Sequence, residues 1–587
     1  MKNGKVVILT LLISVSAIAM LCTKVEYSTA TLNRFKSYEE LKEFLQRERV
    51  YPYYPYLPFV RSFGLQTLNT MEGLDYSKTN IQVEGVDEAD IVKTDGDYIY
   101  VISSQKVIIV KAYPAEEAAV LSRITVNGTL EQLFINGDRL VVFYESGGSE
   151  AKTCINIYDI SDRANPMLKN EIAVDGQYFS SRMIGDYVYV VIRKTALLNE
   201  GEVSLPKIYS NDGCRVILAT DIYYSNISDS GYIFTTIVTV NIFEDTQKPK
   251  DETILSGWTT CIYVSLENIY LAIGDYDKTV LHRIHMENGE ISIVADGEVT
   301  GYVLDQFSMD EHEGYFRIAT TSQMTSFPEE SSPILHLQNN VYILNMDLNT
   351  VGKLESIAPG ENTHSVRFMG DICYLVTFRK IDPLFVISLS DPYIPKILGE
   401  LEITGYSDYL HLYDENHVIG VGKETIAAEE GDFSWYQGVK ISLFDVTDMT
   451  NPEELAKYEI GDRGTDTPVL NDHKAFLFDR EKNLLVLPVL VAKVNEGQYP
   501  NGVPPPYTYG EYVWQGAYIF TISLELEEKI MLRGTITHIE NGNVHNASNY
   551  VTRALFIGDV LYTISESKIK MNSLLDLSEI NELNLTE

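Results

Sequence analysis

Tryptophan, cysteine and positive charge are scarce in this 587-residue chain. Three scattered tryptophans argue against a site that stacks a quinone cofactor between indole rings. There are five cysteines, one of them (Cys22) just after the N-terminal apolar run. Cys154, Cys214, Cys261 and Cys373 are widely spaced with no CxxC pair, which excludes a structural zinc knuckle. An oxidising location would permit disulfides among them. Cys261 and Cys373 fall inside apolar strand patterns, where buried free thiols are expected. Lysine and arginine total 46 against 83 acidic residues, a formal charge of −37. Such a surface repels polyanions, so nucleic acid and anionic lipid are poor partners, while cations and basic partners stay open. The same charge also keeps a large protein soluble.

Long hydrophobic runs are equally rare. One spans Val6 to Leu21, after Lys2 and Lys5, in the layout of a Sec-type targeting segment. Ala17-Ile18-Ala19 fits small-x-small cleavage, yet the run approaches the about 17–25 residues an anchor needs, so release and tethering both stay open. Met20-Leu21 before Cys22 does not suit lipidation, which wants a small residue there. The expected location is therefore extracellular, or anchored to the outer face of the cell membrane. Any membrane contact is expected through the N-terminal segment alone.

Helical periodicity is confined to one place. Ser37-Tyr38-Glu39-Glu40 is a capping box, and Leu41, Phe44 and Leu45 share a face, which predicts a short helix over about 38–48. The tract Tyr51-Pro52-Tyr53-Tyr54-Pro55-Tyr56-Leu57-Pro58 forbids helix and reads as an extended linker.

What the chain has in abundance is tyrosine, 39 residues, and one repeated idea. A turn with Gly, Asp or Asn precedes a strand of alternating Tyr, Val and Ile. Copies include Thr94-Asp95-Gly96-Asp97 before Tyr98–Ile102, Asn136-Gly137-Asp138 before Arg139–Phe143, Ile184-Gly185-Asp186 before Tyr187–Val191, and Ile557-Gly558-Asp559 before Val560–Ile564. Glycine supplies the positive φ of the turn, and the β-branched and aromatic residues pack on a pleated face. The strand centres are Tyr100, Val141, Tyr189, Tyr270, Phe316, Tyr374, Ile419, Val486 and Tyr562. Their shorter intervals match the roughly 40–50 residues of a four-stranded propeller blade. The longer ones need loop insertions, and 195–215, 425–437 and the proline-rich 497–510 supply them.

A second element follows in several copies: a strand ending in Asp or Ser, a Ser/Thr-Asp turn, then proline. Examples are Ile155–Asp162 with Pro166, Leu384–Pro392 with Pro395, and Ile441–Asp448 with Pro452. Meanders of this kind cannot bury both faces alone and must stack. The expected fold is therefore all-β, a single β-propeller of eight four-stranded blades, with seven or nine as alternatives, plus the short helix and extended linker. The expected division is a signal peptide or anchor over 1–24, an extension over 25–79, the propeller over 80–580 and a tail over 581–587. The last copy, Leu555 to Ile569, looks short of partner strands.

Several segments are not repeated. They are Val83-Glu84-Gly85-Val86-Asp87-Glu88-Ala89-Asp90, then Phe307 to Thr321, Phe378 to Val386, Gly405 to His411, and Trp514 to Tyr518. Together they resemble a family of secreted and exported proteins with a C-terminal β-propeller domain distantly related to WD40 repeats. The resemblance covers about residues 35 to 580. It implies export and a propeller, and it brings no activity, catalytic residue or ligand. The chain lacks the Trp-Asp dipeptide of true WD40 blades.

Two carboxylate clusters are candidate cation sites, with Ca²⁺ the natural ion for oxygen donors. One is Glu84, Asp87, Glu88 and Asp90; the other is Asp310 with Glu311, followed by His312 and Glu313. Neither has EF-hand or H-E-x-x-H spacing. Strand-end capping is the structural account of the first cluster, and a solvated turn before Tyr315–Thr320 that of the second. Asp310 with His312 would be the acid–base pair of an enzyme. Ser407 lacks the second glycine of a nucleophile elbow. The loop carrying Tyr499, Tyr507, Tyr509, Tyr512 and Trp514 is a candidate partner contact, because these rings are rigid and amphipathic, or else a lid on the central channel.

The leading expectation is a non-enzymatic binding scaffold outside the cell, contacting protein, peptide or glycan at the cell surface. An extracellular polymer-acting hydrolase or lyase, with carboxylates at the channel mouth, is the first alternative. A cation-stabilised envelope component is the second.

Overall fold

The computed structural model describes residues 32–47, 75–148, 151–225, 232–275, 277–326, 334–379, 382–431 and 433–586. The N-terminal apolar segment and the 51–58 tract lie outside the described residues. No helix among the described residues is long and apolar enough to cross a membrane.

The chain forms one all-β propeller, with a single α-helix, Tyr38–Arg47, among the described residues. Around the ring the strands fall into nine sheets: 92–125, 128–175, 177–256, 259–300, 309–357, 362–403, 406–460, 477–536 and 553–584. We number these blades 1 to 9. Nine is among the counts that the strand spacing left open. The last copy is not short of partners, because Lys568–Ser573 and Glu579–Asn584 complete its sheet. Each blade is thus built from consecutive strands, and the ring closes by packing. Ile99 and Val101 of blade 1 share a buried cluster with Ile557 and Tyr562 of blade 9, as every other pair of neighbouring blades does in turn.

Strand order explains the composition. The second and third strands of a blade are covered on both faces, so they read as near-continuous apolar runs such as Tyr98–Ser103 and Lys106–Lys111. The outer strands alternate, as Glu579–Asn584 does. Both repeated turns lie on one face of the ring, because antiparallel order puts the first-to-second and third-to-fourth connections together. There the aspartates hold turn amides: Asp159 accepts from Ser161 N at 3.0 Å and Asp445 from Thr447 N at 2.8 Å. Glycines in outer strands let the next blade's turn abut. A Cβ on Gly352 would meet Pro392 O at 2.0 Å, and one on Gly399 would meet Met449 O at 2.5 Å.

The opposite face carries the insertions. The stretch between the second and third strands of blade 3 is more than a loop. Lys207–Ser210 and Gly213–Val216 extend the outer edge of blade 2, and Ile222–Tyr224 extends blade 3, where it pairs with Asn33–Arg34. The helix docks here through Leu41, Leu45 and Phe44, beside Phe35 stacked on Tyr224 at 4.4 Å. The expected 425–437 insertion also folds, as the ends of His417–Ala427 and Ser434–Asp445. Its Trp435 and Tyr436 suit strand better than turn.

Candidate functional site

Two regions could carry function: the centre of the ring and an aromatic surface on the insertion face. The first strand of each blade lines the centre, and residues 75–90 run across it. Tyr76 bridges Ile557, Ser77 N donates to Phe556 O at 3.0 Å, and Gly558 N donates to Asp75 O at 2.6 Å, all on blade 9. Asn80 then reaches Tyr409 OH and His473 O at 3.0 and 3.1 Å. Gln82 donates to Gln306 O and Met309 O at 2.8 and 3.2 Å. Asp87–Glu88 adds a short strand inside blade 3, and Asp90 pairs with Leu133 of blade 2. One segment therefore ties together blades on all sides of the ring.

Its carboxylates are answered by protein cations. Asp87 accepts from Lys93 Nζ at 2.7 Å. Glu88 faces Arg182 at 3.6 Å and His473 at 3.4 Å, and accepts from Gln82 N at 3.1 Å. Burial alone would raise the Glu88 carboxyl, but Arg182, His473 and Lys474 outweigh it and hold it well below the usual carboxylate range. Asp90 takes a two-pronged contact from Arg553, Nε at 3.0 Å and Nη2 at 2.9 Å, and Arg553 also meets Asp472. Lys474 Nζ donates to Ala89 O at 3.0 Å. Glu84 sits exposed in the turn before Val86.

Asp310, Glu311 and His312 lie in a strand, Met309–His312, where a solvated turn was expected. The alternation of a strand sends them to different blades. Asp310 accepts from Arg317 Nε at 2.8 Å, and His312 faces Asp371 at 3.5 Å. Glu311 turns the other way, to Tyr270 OH at 2.6 Å and Asn268 Nδ2 at 3.0 Å. Asp310 is thus engaged by a guanidinium and is not poised beside His312 as an acid–base pair. Among the described residues, the ligand-type atoms that converge within 4.8 Å are those of His312, Glu313 and Asp371, at the surface. The six carboxylates singled out above are not brought to one point.

The aromatic loop behaves differently. Tyr507, Tyr509 and Tyr512 are 58 %, 63 % and 47 % exposed, beside the exposed Val503 and Val513. Tyr499 is half-buried, and so is Trp514, packed edge-on to Tyr518 at 5.2 Å. The neighbouring hairpin of blade 7 adds exposed Phe433 and Tyr436, and Trp435 meets Tyr507 at 5.7 Å. Beneath them lies Arg463, 5 % exposed, from the link between blades 7 and 8. Its guanidinium sits 5.2, 4.7 and 4.3 Å from the rings of Trp435, Tyr436 and Tyr509. It donates to Tyr436 O at 2.9 Å and to Tyr509 OH at 3.1 Å. Gln437 Nε2 donates to Pro506 O at 3.0 Å, joining the two hairpins.

The loop stands out in the sequence, and its floor does not. Phe433-Ser434-Trp435-Tyr436 is a visible aromatic cluster, but no spacing rule connects it to Arg463 or Tyr509. The four described cysteines are free thiols, with Cys154, Cys261 and Cys373 buried and Cys214 exposed.

A family model described as the beta propeller domain matches residues 76–577, and the chain belongs to that family. An uncharacterized protein of Methanocaldococcus jannaschii is 29 % identical over 87 % of this chain and 83 % of its own length. An uncharacterized protein of Archaeoglobus fulgidus is 26 % identical over 95 % of both. Among solved structures, a protein from Lactobacillus plantarum aligns at 10 % identity and a TM-score of 0.29, over 61 % of this chain and 93 % of that one. That likeness is too slight to argue from.

Proposed function

We propose that this propeller is an exported binding scaffold at the cell surface, and that it engages its partner through the aromatic surface of blades 7 and 8. The observation that carries the reading is the exposure of Tyr507, Tyr509 and Tyr512 above a buried, ring-stacked Arg463. Exposed aromatic clusters cost solubility unless they bind something, and rigid rings lose little entropy when they do. Protein, peptide and glycan all offer the apolar faces such rings cover. The acidic surface favours a neutral or basic partner. The targeting-type N-terminal sequence, Lys2 to Leu21, supports export.

The test is binding of labelled full-length protein to isolated cell envelopes, with partners captured by crosslinking. Replacing Tyr507, Tyr509 and Tyr512 together by Ala is expected to weaken envelope binding at least tenfold while the melting transition stays cooperative. Unchanged binding by that variant would remove the aromatic surface from the account.

A further inference from the structure

Among the described residues, the cations at the centre of the ring are answered by protein acceptors, with one exception. Arg182 has Glu88, Arg317 has Asp310, Lys93 has Asp87, Arg553 has Asp90, and Lys474 has Ala89 O. Arg367, on the first strand of blade 6, is 2 % exposed, and its Nε, Nη1 and Nη2 meet no acceptor among the described residues. Its guanidinium lies 4.4 Å over the Phe307 ring. That ring in turn meets Tyr409 at 6.3 Å and His473 at 6.1 Å, which places Arg367 beside the crossing segment.

Five N–H donors are therefore aimed at the interior without an oxygen to receive them. Burial lowers the guanidinium to about 10, so it remains charged at neutral pH. The carboxylates whose fields reach it, Asp310, Asp305 and Glu88, are committed elsewhere. Asp310 faces Arg317, and Glu88 faces Arg182 and His473. Asp305 accepts from Phe307 N at 2.9 Å and Ser308 N at 3.1 Å. Tyr409 OH is engaged by Asn80 and by His411 Nδ1 at 2.9 Å. What would complete the group is an acceptor from outside the chain: small, because first strands and the crossing segment crowd it, and singly charged, because carboxylates lie near.

We propose that Arg367 holds a monovalent anion of the halide class at the centre of the ring, against the face of Phe307.

Crystals of the full-length protein grown in sodium bromide would show this directly. The expected result is an anomalous bromine peak within hydrogen-bonding reach of the Arg367 guanidinium. Ordered water alone at that position would overturn the proposal. In solution, the melting temperature in sodium bromide is expected to exceed that in sodium gluconate of equal ionic strength by about 2 °C or more. Arg367→Met should abolish the difference between the two salts. An equal bromide response in wild type and Arg367→Met would contradict the assignment. The anomalous map uses the wild-type protein and stands whether or not the variant folds.

Discussion

Residues 80–90 and 499–514 are both unrepeated, and both are rich in residue types that make sites, yet they end in opposite surroundings. The first is drawn into the ring, where Glu88 and Asp90 are each met by buried cations. The second stands out from the ring, with three tyrosines about half exposed or more. A dense acidic run is thus not a cation site when the fold delivers arginines to it from distant blades. A dense aromatic run is available for contact when only one side of it is packed. The centre ties blades together, and the rim stays exposed to solvent.

The largest effect should come from breaking the centre. Asp90→Ala leaves buried Arg553 with Asp472 as its one carboxylate, beside Thr552 O, and a loss of about 3–5 kcal/mol is expected in urea unfolding. A loss under about 1 kcal/mol would mean that the crossing segment is an accessory to the ring.

Acid should also act on the interior first. Burial pushes the imidazole of His282 down to about 4 and that of His538 to about 3. His411 is likewise pushed well below its ordinary value, by burial and then by Arg367 and His473. The unfolded chain protonates these rings near pH 6.5, while the folded chain resists to lower pH. Stability is therefore present in full above about pH 6.5 and falls as pH drops toward 4, by up to about 1.4 kcal/mol per pH unit for each ring. Denaturant midpoints measured from pH 8 to 4 check this. A flat profile would contradict it, and His282→Leu, which removes a buried ring whose nitrogens meet no partner among the described residues, should flatten the slope by one ring's share.

Rim substitutions should be mild for the fold. Tyr507→Ala or Tyr512→Ala is expected to change stability by no more than about 0.5 kcal/mol, since each side chain is largely exposed. A cost above about 2 kcal/mol would show that the loop is a structural lid. Smallest of all, millimolar calcium is expected to leave the melting temperature unchanged, because Asp87, Glu88, Asp90 and Asp310 already have cationic partners. A calcium-dependent rise of several degrees would restore a cation site.

The propeller was legible because its signal is local and repeated. A turn with Gly, Asp or Asn before a Tyr/Val/Ile strand recurs between the first two strands of each blade, and each copy reinforces the next. The completeness of blade 9 was harder to read, since Lys568–Ser573 and Glu579–Asn584 are short and mix charge with apolar residues. The centre was the least legible. Asp90 and Arg553 are 463 residues apart, and their contact exists only once the ring closes. Likewise Arg463 carries no motif, and only the approach of two hairpins makes it the floor of an aromatic surface.

Amide hydrogen exchange followed by mass spectrometry separates the two regions in one experiment. The account predicts that the amides of 80–90, where Asp90 N is bonded to Leu133 O and Gln82 N to Glu88, exchange only with unfolding of the whole ring. Amides around 503–512 should exchange early, under native conditions. Exchange of 80–90 as fast as that loop would contradict the claim that the crossing segment holds the ring together.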